Sequence, residues 1–410
     1  QPVSVQIASC RKESRPALPK EKRMICAILL ASMTAVQAND MKELLGAVSS
    51  ARLRAGVEKL ASFPTRNTLS PTLSEAAEWL AGEYRKIPGM QVEVMKYVAP
   101  KSRRVPDDTE VVQVVATLPG TTDRRILVGG HLDSLNLRVD PKTGIAPGAN
   151  DDASGTILAL EAARVLSTRK WRHTMVFVGF TGEEQGLLGA TALAARAKAE
   201  NWQIDAVLNN DTVGSSSNLN GQSDPHRVRV FSEEAETHAS RELARFIEWV
   251  VRQNMSDFSV KLVLRRDRYG RGGDHTPFAN AGFPAIRFIE VHEEYTRQHT
   301  PDDLPEHMDW EYLARVTRAN VAALATLANA GPQPKRVRLA NDQSHHATLL
   351  WDAEPGVSYR VFWRDTASAT WNGSKEAGEA SRFTLENINK DDHFFAVGSE
   401  GGVPVPLGSP

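Results

Sequence analysis

Five clusters of histidine and acidic residues stand out because their side chains are those that bind divalent cations. They are His131-Leu132-Asp133, Asn150-Asp151-Asp152, Glu183-Glu184, Asp211 and His299-Thr300-Pro301. Imidazole and carboxylate groups, with no thiolate among them, are typical ligands of zinc and similar divalent ions. Two histidines and three carboxylates are enough ligands for two metal ions, and one carboxylate must then bridge the pair.

The positions of these clusters along the chain predict that they lie at one edge of a sheet. Apolar, strand-like segments lead into His131, Glu183, Asp211 and, after a short loop, His299. In an open α/β sheet, ligands bind beyond the carboxyl ends of the strands. Asp151 precedes a predicted helix, whose free N–H groups and dipole orient a carboxylate. The five clusters are therefore expected to converge.

In this order the clusters resemble the co-catalytic dizinc aminopeptidases, the family of secreted bacterial leucyl aminopeptidases. The resemblance covers roughly residues 50–330 and also includes the sequences Asn-Asp-Asp-Ala-Ser-Gly at 150–155 and Gly-Glu-Glu-Gln-Gly at 182–186. It implies two Zn²⁺ ions per chain. By this similarity Asp151 would bridge the metals, His131 and Asp211 would complete one site, and Glu184 and His299 would complete the other.

The same resemblance implies roles for residues that do not bind metal. Asp133 would hold His131 from behind, fixing its tautomer. The side chains of adjacent glutamates diverge on one turn, so Glu183 stays free to act as general base while Glu184 binds metal. The segment Gly272–Phe278 also resembles a family motif, and residues in or just before it are expected near the substrate. These are Tyr269, Asp274 and His275, with a purely structural hydrogen bond as the alternative for the last two.

The predicted function is hydrolysis of the N-terminal peptide bond of peptides that have a free N-terminus. Metallo-carboxypeptidase and glutaminyl cyclase-like chemistry on the same fold are the alternatives, and a catalytically inactive binding protein would be expected to lack Glu183 or a metal ligand. A carboxypeptidase needs a cationic clamp for the terminal carboxylate, usually an arginine. The candidates near the Gly272–Phe278 motif are Arg265, Arg266, Arg268, Arg271 and Arg287.

Composition excludes several other classes of function. The 410 residues carry 49 Lys plus Arg against 50 Asp plus Glu, so no strong field favours nucleic acid or an anionic membrane surface. Both cysteines, Cys10 and Cys26, lie in a segment expected to be removed, which excludes thiol proteases.

Residues 1–38 are interpreted as an upstream extension followed by a signal peptide. A basic stretch ending at Arg23 precedes an apolar run from Met24 to Val36 and the small residue Ala38, as is typical of an export signal. The run is about 13 residues, whereas a membrane-spanning helix needs about 20. A secreted or periplasmic protein without an integral membrane segment is expected; an amphipathic first helix is the alternative.

The hydrophobic pattern predicts an α/β fold for residues 39–331, with a mixed, mostly parallel sheet sandwiched by helices. The predicted strands are Gln91–Val98, Val111–Leu118, Ile126–Gly129, Met175–Phe180, Ala206–Leu208, Val228–Phe231 and Ala285–Ile289. The predicted helices lie near Thr156–Leu166, Leu187–Ala197, Glu236–Gln253 and Trp310–Ala328.

A linker rich in glycine and proline at 331–334 separates a second region. Residues 335–406 contain short alternating strands, including Ala347–Trp351 and Tyr359–Arg364, and resemble a fibronectin type III β-sandwich. A binding role and a purely supporting role are both open for this small all-β domain.

Overall fold

The computed structural model describes residues 38–233, 238–267, 272–342 and 345–408. Residues 1–37, which contain all of the proposed signal peptide except Ala38, lie outside these ranges, as do Arg268, Tyr269 and Arg271. No helix in the described ranges is both long and apolar enough to cross a membrane.

The centre of the larger domain is a sheet that has eight strands within the described residues, in the order β1-β2-β4-β3-β5-β8-β6-β7. The neighbours β4-β3-β5-β8 are parallel, whereas β1, β2 and β6 pair antiparallel with a neighbour. The mixed sheet confirms the predicted fold class. The strands are β1 (Gln91–Ala99), β2 (Thr109–Leu118), β3 (Thr122–His131), β4 (His173–Phe180), β5 (Gln203–Asn210), β6 (Arg227–Phe231), β7 (Ser259–Val263) and β8 (Ala285–Glu290).

Helices cover both faces of this sheet. They are α1 (Ala38–Gly46), α2 (Ser50–Ala61), α3 (Thr72–Arg85), α4 (Ser154–Leu166), α5 (Leu188–Ala199), α6 (Ala239–Asn254), α7 (His275–Asn280) and α8 (Trp310–Ala328). α4 is buried on nearly every side, against β3 and α8, as expected for a helix that is apolar all round. Because α4 is fixed in the core, the turn that enters it is fixed as well.

α6 begins at Ala239, and the side chain of His238 accepts a hydrogen bond from the N–H of Ser240 at 3.2 Å and caps the helix. The predicted start of this helix, Glu236, lies outside the described residues. Strand β7 was not predicted. It is a partly exposed edge strand and therefore lacks the continuous apolar run that marks the central strands.

The C-terminal strands form two small antiparallel sheets. Their order is β13-β10-β9 in one sheet and β12-β11-β14-β15 in the other. The strands are β9 (Lys335–Leu339), β10 (Ala347–Asp352), β11 (Tyr359–Asp365), β12 (Gly373–Gly378), β13 (Arg382–Leu385), β14 (His393–Ser399) and β15 (Val405–Pro406). Kinship with fibronectin type III domains stays a prediction.

The C-terminal sheets pack directly against α6. The rings of Trp249 and Phe362 meet edge to face with centroids 5.3 Å apart, and Arg252 donates to the carbonyl of Trp371 at 2.9 Å. Together, aromatic packing and side chain to backbone hydrogen bonds hold the sandwich on the larger domain.

Candidate active site

The candidate ligands converge because they follow neighbouring parallel strands. His131 is the last residue of β3, and Asp211 comes directly after β5. In the register of the sheet, His131 lies beside Phe180 at the end of β4, three residues before Glu183. Asp151 lies in the π-type turn Ala149–Ala153 that enters α4. All of these positions are at the carboxyl edge of the sheet, where ligands bind in such folds.

Asp151 lies between the two histidines, with one carboxylate oxygen directed to each. Its Oδ1 is 3.0 Å from Nε2 of His131, and its Oδ2 is 3.0 Å from Nε2 of His299. Glu184 completes one side, with Oε1 2.9 Å from Nε2 of His299. Asp211 completes the other side, with Oδ1 3.8 Å from Nε2 of His131. The five side chains expected to bind metal are therefore together.

The donor set fits divalent cations. Asp151 Oδ2 and Glu184 Oε1 are buried and accept no hydrogen bond of good geometry from the described residues, although Nε2 of His299 lies within 3.0 Å of each. One group of donor atoms within 4.8 Å of one another comes from Asp151, Glu184 and His299. A second group comes from His131, Asp211 and Asp152. Histidine nitrogen and carboxylate oxygen at this density suit zinc.

The pKa values of the two histidines show that the site favours positive charge. Burial favours neutral histidine, yet the contacts of His299 with Asp151 and Glu184 raise its pKa to about 11. Burial likewise opposes a charge on His131, but Asp151 and Asp211 raise its pKa well above the ordinary value. Without a cation, protons on the two histidines balance the carboxylates.

Glu183 and Glu184 are held differently. The carboxylate of Glu184 contacts His299, whereas the position of Glu183 is fixed by a hydrogen bond from its backbone. Its N–H donates to Asp133 Oδ1 at 3.3 Å, and its side chain is part-buried. Burial raises the pKa of Glu183 well above the usual range, and the nearby carboxylates of Glu184 and Asp211 add to the shift.

The role expected for Asp133 needs correction. Nδ1 of His131 makes its close contact, 2.9 Å, with the backbone carbonyl of Asp133, while the carboxylate lies 3.7 Å away. The Asp133 carboxylate instead accepts the N–H groups of Glu183 at 3.3 Å and Glu184 at 3.2 Å, and the hydroxyl of Thr68 at 3.3 Å. Asp133 thus orients His131 through its main chain and the glutamate turn through its side chain.

Asp152 organises the site and was not predicted to do so. Its carboxylate accepts the N–H groups of His131 at 2.9 Å, Gly155 at 2.8 Å and Thr212 at 3.2 Å. Thr212 has φ of 54°, which a β-branched residue rarely adopts. The bond to Asp152 therefore fixes a strained backbone directly after Asp211.

Asp303 and Arg66 hold the turn that carries Asp151. Asp303 accepts the N–H groups of Asn150 and Asp151, both at 2.9 Å, and burial raises its pKa to about 6. Arg66 is fully buried and donates to the carbonyls of Leu132 at 2.7 Å and Gly148 at 2.8 Å. Asp303 follows His299 closely in the sequence and could have been suspected, whereas nothing in the sequence pointed to Arg66.

Arg287 lies behind Asp211 and is also fully buried. Its Nη2 is 2.9 Å from Oδ2 of Asp211, and its Nη1 is 3.1 Å from Oδ2 of Asp267. The Asp211 carboxylate therefore divides its oxygens between His131 on one side and a guanidinium on the other. Burial alone would raise the pKa of Asp211. The positive charge of Arg287 outweighs burial, so the pKa of Asp211 lies below its ordinary value.

Asp274 and His275, at the start of α7, lie beside the site. Asp274 is fully buried, and neither carboxylate oxygen has a partner among the described residues. Burial and the charge of Glu183 raise its pKa well above the usual range. Burial, with the charge of Arg287, lowers the pKa of His275 to about 3, so this imidazole is neutral.

The sequence was compared with known protein families and with individual proteins. The model described as Peptidase family M28 matches residues 113–324. A probable zinc metalloprotease of Pyricularia oryzae is 39% identical over 412 aligned positions, which cover 88% of this chain and 82% of that protein. A probable zinc metalloprotease of Leptosphaeria maculans is 36% identical, covering 88% of this chain and 94% of the relative.

Solved structures share the fold at low sequence identity. The Legionella pneumophila LapA aminopeptidase aligns with a TM-score of 0.58 at 19% identity, covering 80% of this chain and 81% of that one. A zinc aminopeptidase from Bacillus subtilis aligns at 0.55 and 17%, covering 68% and 94%. A Fimbriiglobus ruber glutaminyl cyclase aligns at 0.53 and 19%, covering 67% and 94%.

Proposed function

The chain belongs to the zinc-dependent peptidase family M28, and from this premise we propose that it is a two-zinc aminopeptidase. Membership also confirms the resemblance seen in the sequence. The observation that carries the proposal is the position of Asp151, whose two oxygens each lie 3.0 Å from a different histidine. A carboxylate in this position can serve two cations at once, and each half-site then has one histidine and one further carboxylate of its own.

His131 and Asp211 would hold one zinc ion, Glu184 and His299 the other, and Asp151 would be shared. When bound, such a pair of ions would lower the pKa of the attacking water and stabilise the negative charge that develops on the scissile carbonyl. The protein supplies the orientation of the ligands, because the strand ends, Asp133, Asp152 and Asp303 fix their backbones.

Glu183 is the proposed general base. Its side chain lacks the close contact with His299 that Glu184 makes, although it also belongs to a group of possible metal donors with His131 and Glu184. Its backbone is fixed by Asp133. Glu183 accepts a proton from the attacking water as the water oxygen bonds to the carbonyl carbon. It then returns that proton to the leaving amine nitrogen as the C–N bond breaks.

Recognition of a free α-amino group follows from the acidic surroundings. The free α-ammonium belongs to the same N-terminal residue as the scissile carbonyl, so it would lie near Glu183 and Asp274, a buried carboxylate with no partner among the described residues. Charge-assisted hydrogen bonds to these groups hold the amine. Asp211 contributes less to amine binding, because its Oδ2 contacts Arg287.

The structure offers little support for carboxypeptidase action among the arginines that can be described. Arg287 contacts Asp211 and Asp267, and Arg266 pairs with Glu233 at 2.6 Å. Arg265 donates to the carbonyl of Arg266 at 2.7 Å. Arginines already engaged in this way are poor clamps for a substrate carboxylate.

The test uses purified full-length protein with three substrate types. An aminoacyl p-nitroanilide should be cleaved, its N-acetylated counterpart should not, and a peptide digested over time should lose residues from its N-terminus. Zinc content, measured by elemental analysis, should approach two ions per chain. Cleavage of the acetylated substrate at an equal rate would disprove the aminopeptidase assignment.

The same preparation separates this proposal from glutaminyl cyclase-like chemistry. Peptides that begin with glutamine are incubated and analysed by mass. Loss of a residue supports hydrolysis, whereas loss of ammonia with the chain length unchanged supports cyclisation. A single tightly held zinc ion in the fully active protein would also count against the two-metal site.

We also propose that the protein is exported, on the basis of the basic and apolar segment that ends near Ala38. N-terminal sequencing of protein recovered from the culture medium or periplasm tests this. A recovered chain that still begins upstream of Met24 would contradict it.

A further inference from the structure

The two halves of the metal cluster differ in their contact with fixed positive charge. In one half, Asp211 directs Oδ1 toward His131 while Oδ2 lies 2.9 Å from Nη2 of Arg287. In the other half, the Glu184 carboxylate contacts His299, and no arginine or lysine in the described part of the chain forms an ion pair with it. The halves supply similar ligands, but only the Asp211 carboxylate is shared with a guanidinium.

Arg287 cannot move away from Asp211. It lies in β8, in the interior of the sheet, opposite Asn209 of β5 in the parallel register. Its side chain is fully buried. Its second terminal nitrogen lies 3.1 Å from Asp267 and donates to the carbonyl of Gly272 at 3.2 Å. The guanidinium is therefore a fixed part of the half-site, unlike a surface group, whose charge solvent and salt would screen.

We infer that Arg287 is a positioning residue that leaves Asp211 one oxygen for a metal ion and weakens cation binding in the His131–Asp211 half-site. The inference rests on the proposed two-zinc function. A fixed positive charge in contact with a ligand's outer oxygen repels a divalent cation on the other side of that carboxylate. It also withdraws negative charge from the ligand, and it prevents the carboxylate from offering both oxygens.

Asp267 controls the strength of this effect. Its carboxylate is 2% exposed and lies 3.1 Å from Arg287, so it neutralises part of the guanidinium charge. If Asp267 loses its charge, Arg287 acts on Asp211 alone and cation binding should weaken further. If Arg287 and Asp267 lose their charges together, the repulsion disappears and the buried ion pair between them is removed from both sides. Loss of the Asp267 charge alone and loss of both charges should therefore shift zinc affinity in opposite directions.

The experiment measures the zinc affinity of each half-site by competition with a chromophoric chelator at constant pH. A His299→Ala background isolates the His131–Asp211 half-site, and a His131→Ala background isolates the Glu184–His299 half-site. In the first background, Arg287→Met with Asp267→Asn should tighten zinc binding at least about tenfold. Asp267→Asn alone should loosen it. In the second background, both changes should leave the affinity within about twofold.

Each result decides the matter. Affinities in the first background that stay unchanged, or that both weaken, would show that Arg287 only supports the fold, and circular dichroism verifies that each variant is folded. If the double variant does not fold, Asp267→Asn in the two backgrounds is the deciding comparison: loosening confined to the His131–Asp211 half-site supports the proposal, whereas equal loosening in both half-sites, or none, overturns it. Failure of the proposed function is distinct: the unsubstituted protein would then bind fewer than two zinc ions.

Discussion

The carboxyl edge of the central sheet and the C-terminal sandwich bury opposite kinds of side chain. At the edge, Asp133, Asp152 and Asp274 are all fully buried. The sandwich encloses apolar residues such as Leu349, and its ion pair Arg360–Glu376 extends to the surface. Burying carboxylates close together opposes folding unless cations or donors balance them. The carboxyl edge is therefore less stable than an apolar core would be, but it can bind cations. The apolar interior of the sandwich, in contrast, stabilises the folded state.

This difference predicts that substitutions at the edge change metal binding and turnover, while substitutions in the sandwich change the free energy of unfolding. The effects below run from the largest expected to the smallest.

Asp151→Asn should have the largest effect. The change removes the charge that faces both histidines, so zinc content should fall and activity should fall by at least the factor of about 10²–10⁴ expected for loss of a general base. Elemental analysis and initial rates measure both. The control is Asp302→Asn, an exposed carboxylate near Asp303 that should change neither. Normal zinc content in Asp151→Asn would show that this residue is not the shared ligand.

Glu183→Gln should retain zinc and the folded state but lower kcat by about 10²–10⁴-fold, because the amide cannot accept the proton of the attacking water. Initial rates on an aminoacyl p-nitroanilide and elemental analysis are the measurements. Glu200→Gln, at the exposed glutamate directly after α5, serves as the matched control. Near-normal turnover in Glu183→Gln would assign the base to another residue.

Leu349→Ala should lower the free energy of unfolding of the sandwich by about 2–5 kcal/mol, because it removes a fully buried side chain and leaves a cavity. Zinc content and kcat should remain normal while the protein is folded. Denaturant unfolding followed by tryptophan fluorescence measures the change. Val98→Ala, at a side chain that is 64% exposed, is the control and should shift stability by less than about 0.5 kcal/mol. A parallel loss of zinc would show that the two regions are coupled.

The pH dependence of zinc binding should be the subtlest effect. Although burial opposes it, contacts with Asp151 and Glu184 raise the pKa of His299 to about 11, and the pKa of His131 is also well above its ordinary value. The raised pKa values favour protonated rings in the metal-free protein, and zinc requires them neutral. Zinc affinity should therefore rise with pH, with about one proton released per ion.

The stability of the metal-free protein changes with pH in the opposite direction to the zinc affinity. Because the folded-state pKa of His299 is raised, its contribution to stability is complete below the unfolded pKa of about 6.5 and is lost as pH rises toward about 11. Titration with zinc in weakly buffered solution containing a pH indicator counts the protons, and thermal unfolding at several pH values follows the stability. Zinc binding without proton release would contradict the charged state assigned to the two histidines.

Much of the candidate site was predictable because its ligands lie at the ends of strands. An apolar run followed by His131 or Asp211 is a local pattern, and parallel strands bring their carboxyl ends to one edge whatever the details of packing. The α/β fold and the position of α8 followed from the same periodicity. Strand β7 did not, because an edge strand that is half exposed has no distinctive pattern.

The sequence by itself determined the family, the fold class and the set of residues able to bind metal, because these depend on residue type and on spacing along the chain. Only the tertiary structure decided which residues support each metal ligand. Asp133 accepts hydrogen bonds from the turn of Glu183 and Glu184, and Asp303 accepts them from the turn before α4. Arg287 contacts Oδ2 of Asp211. Arg66 and Gly148 are 82 positions apart and yet in contact. Such partners are set by which buried groups must satisfy one another once the chain is packed, and no local pattern records that requirement.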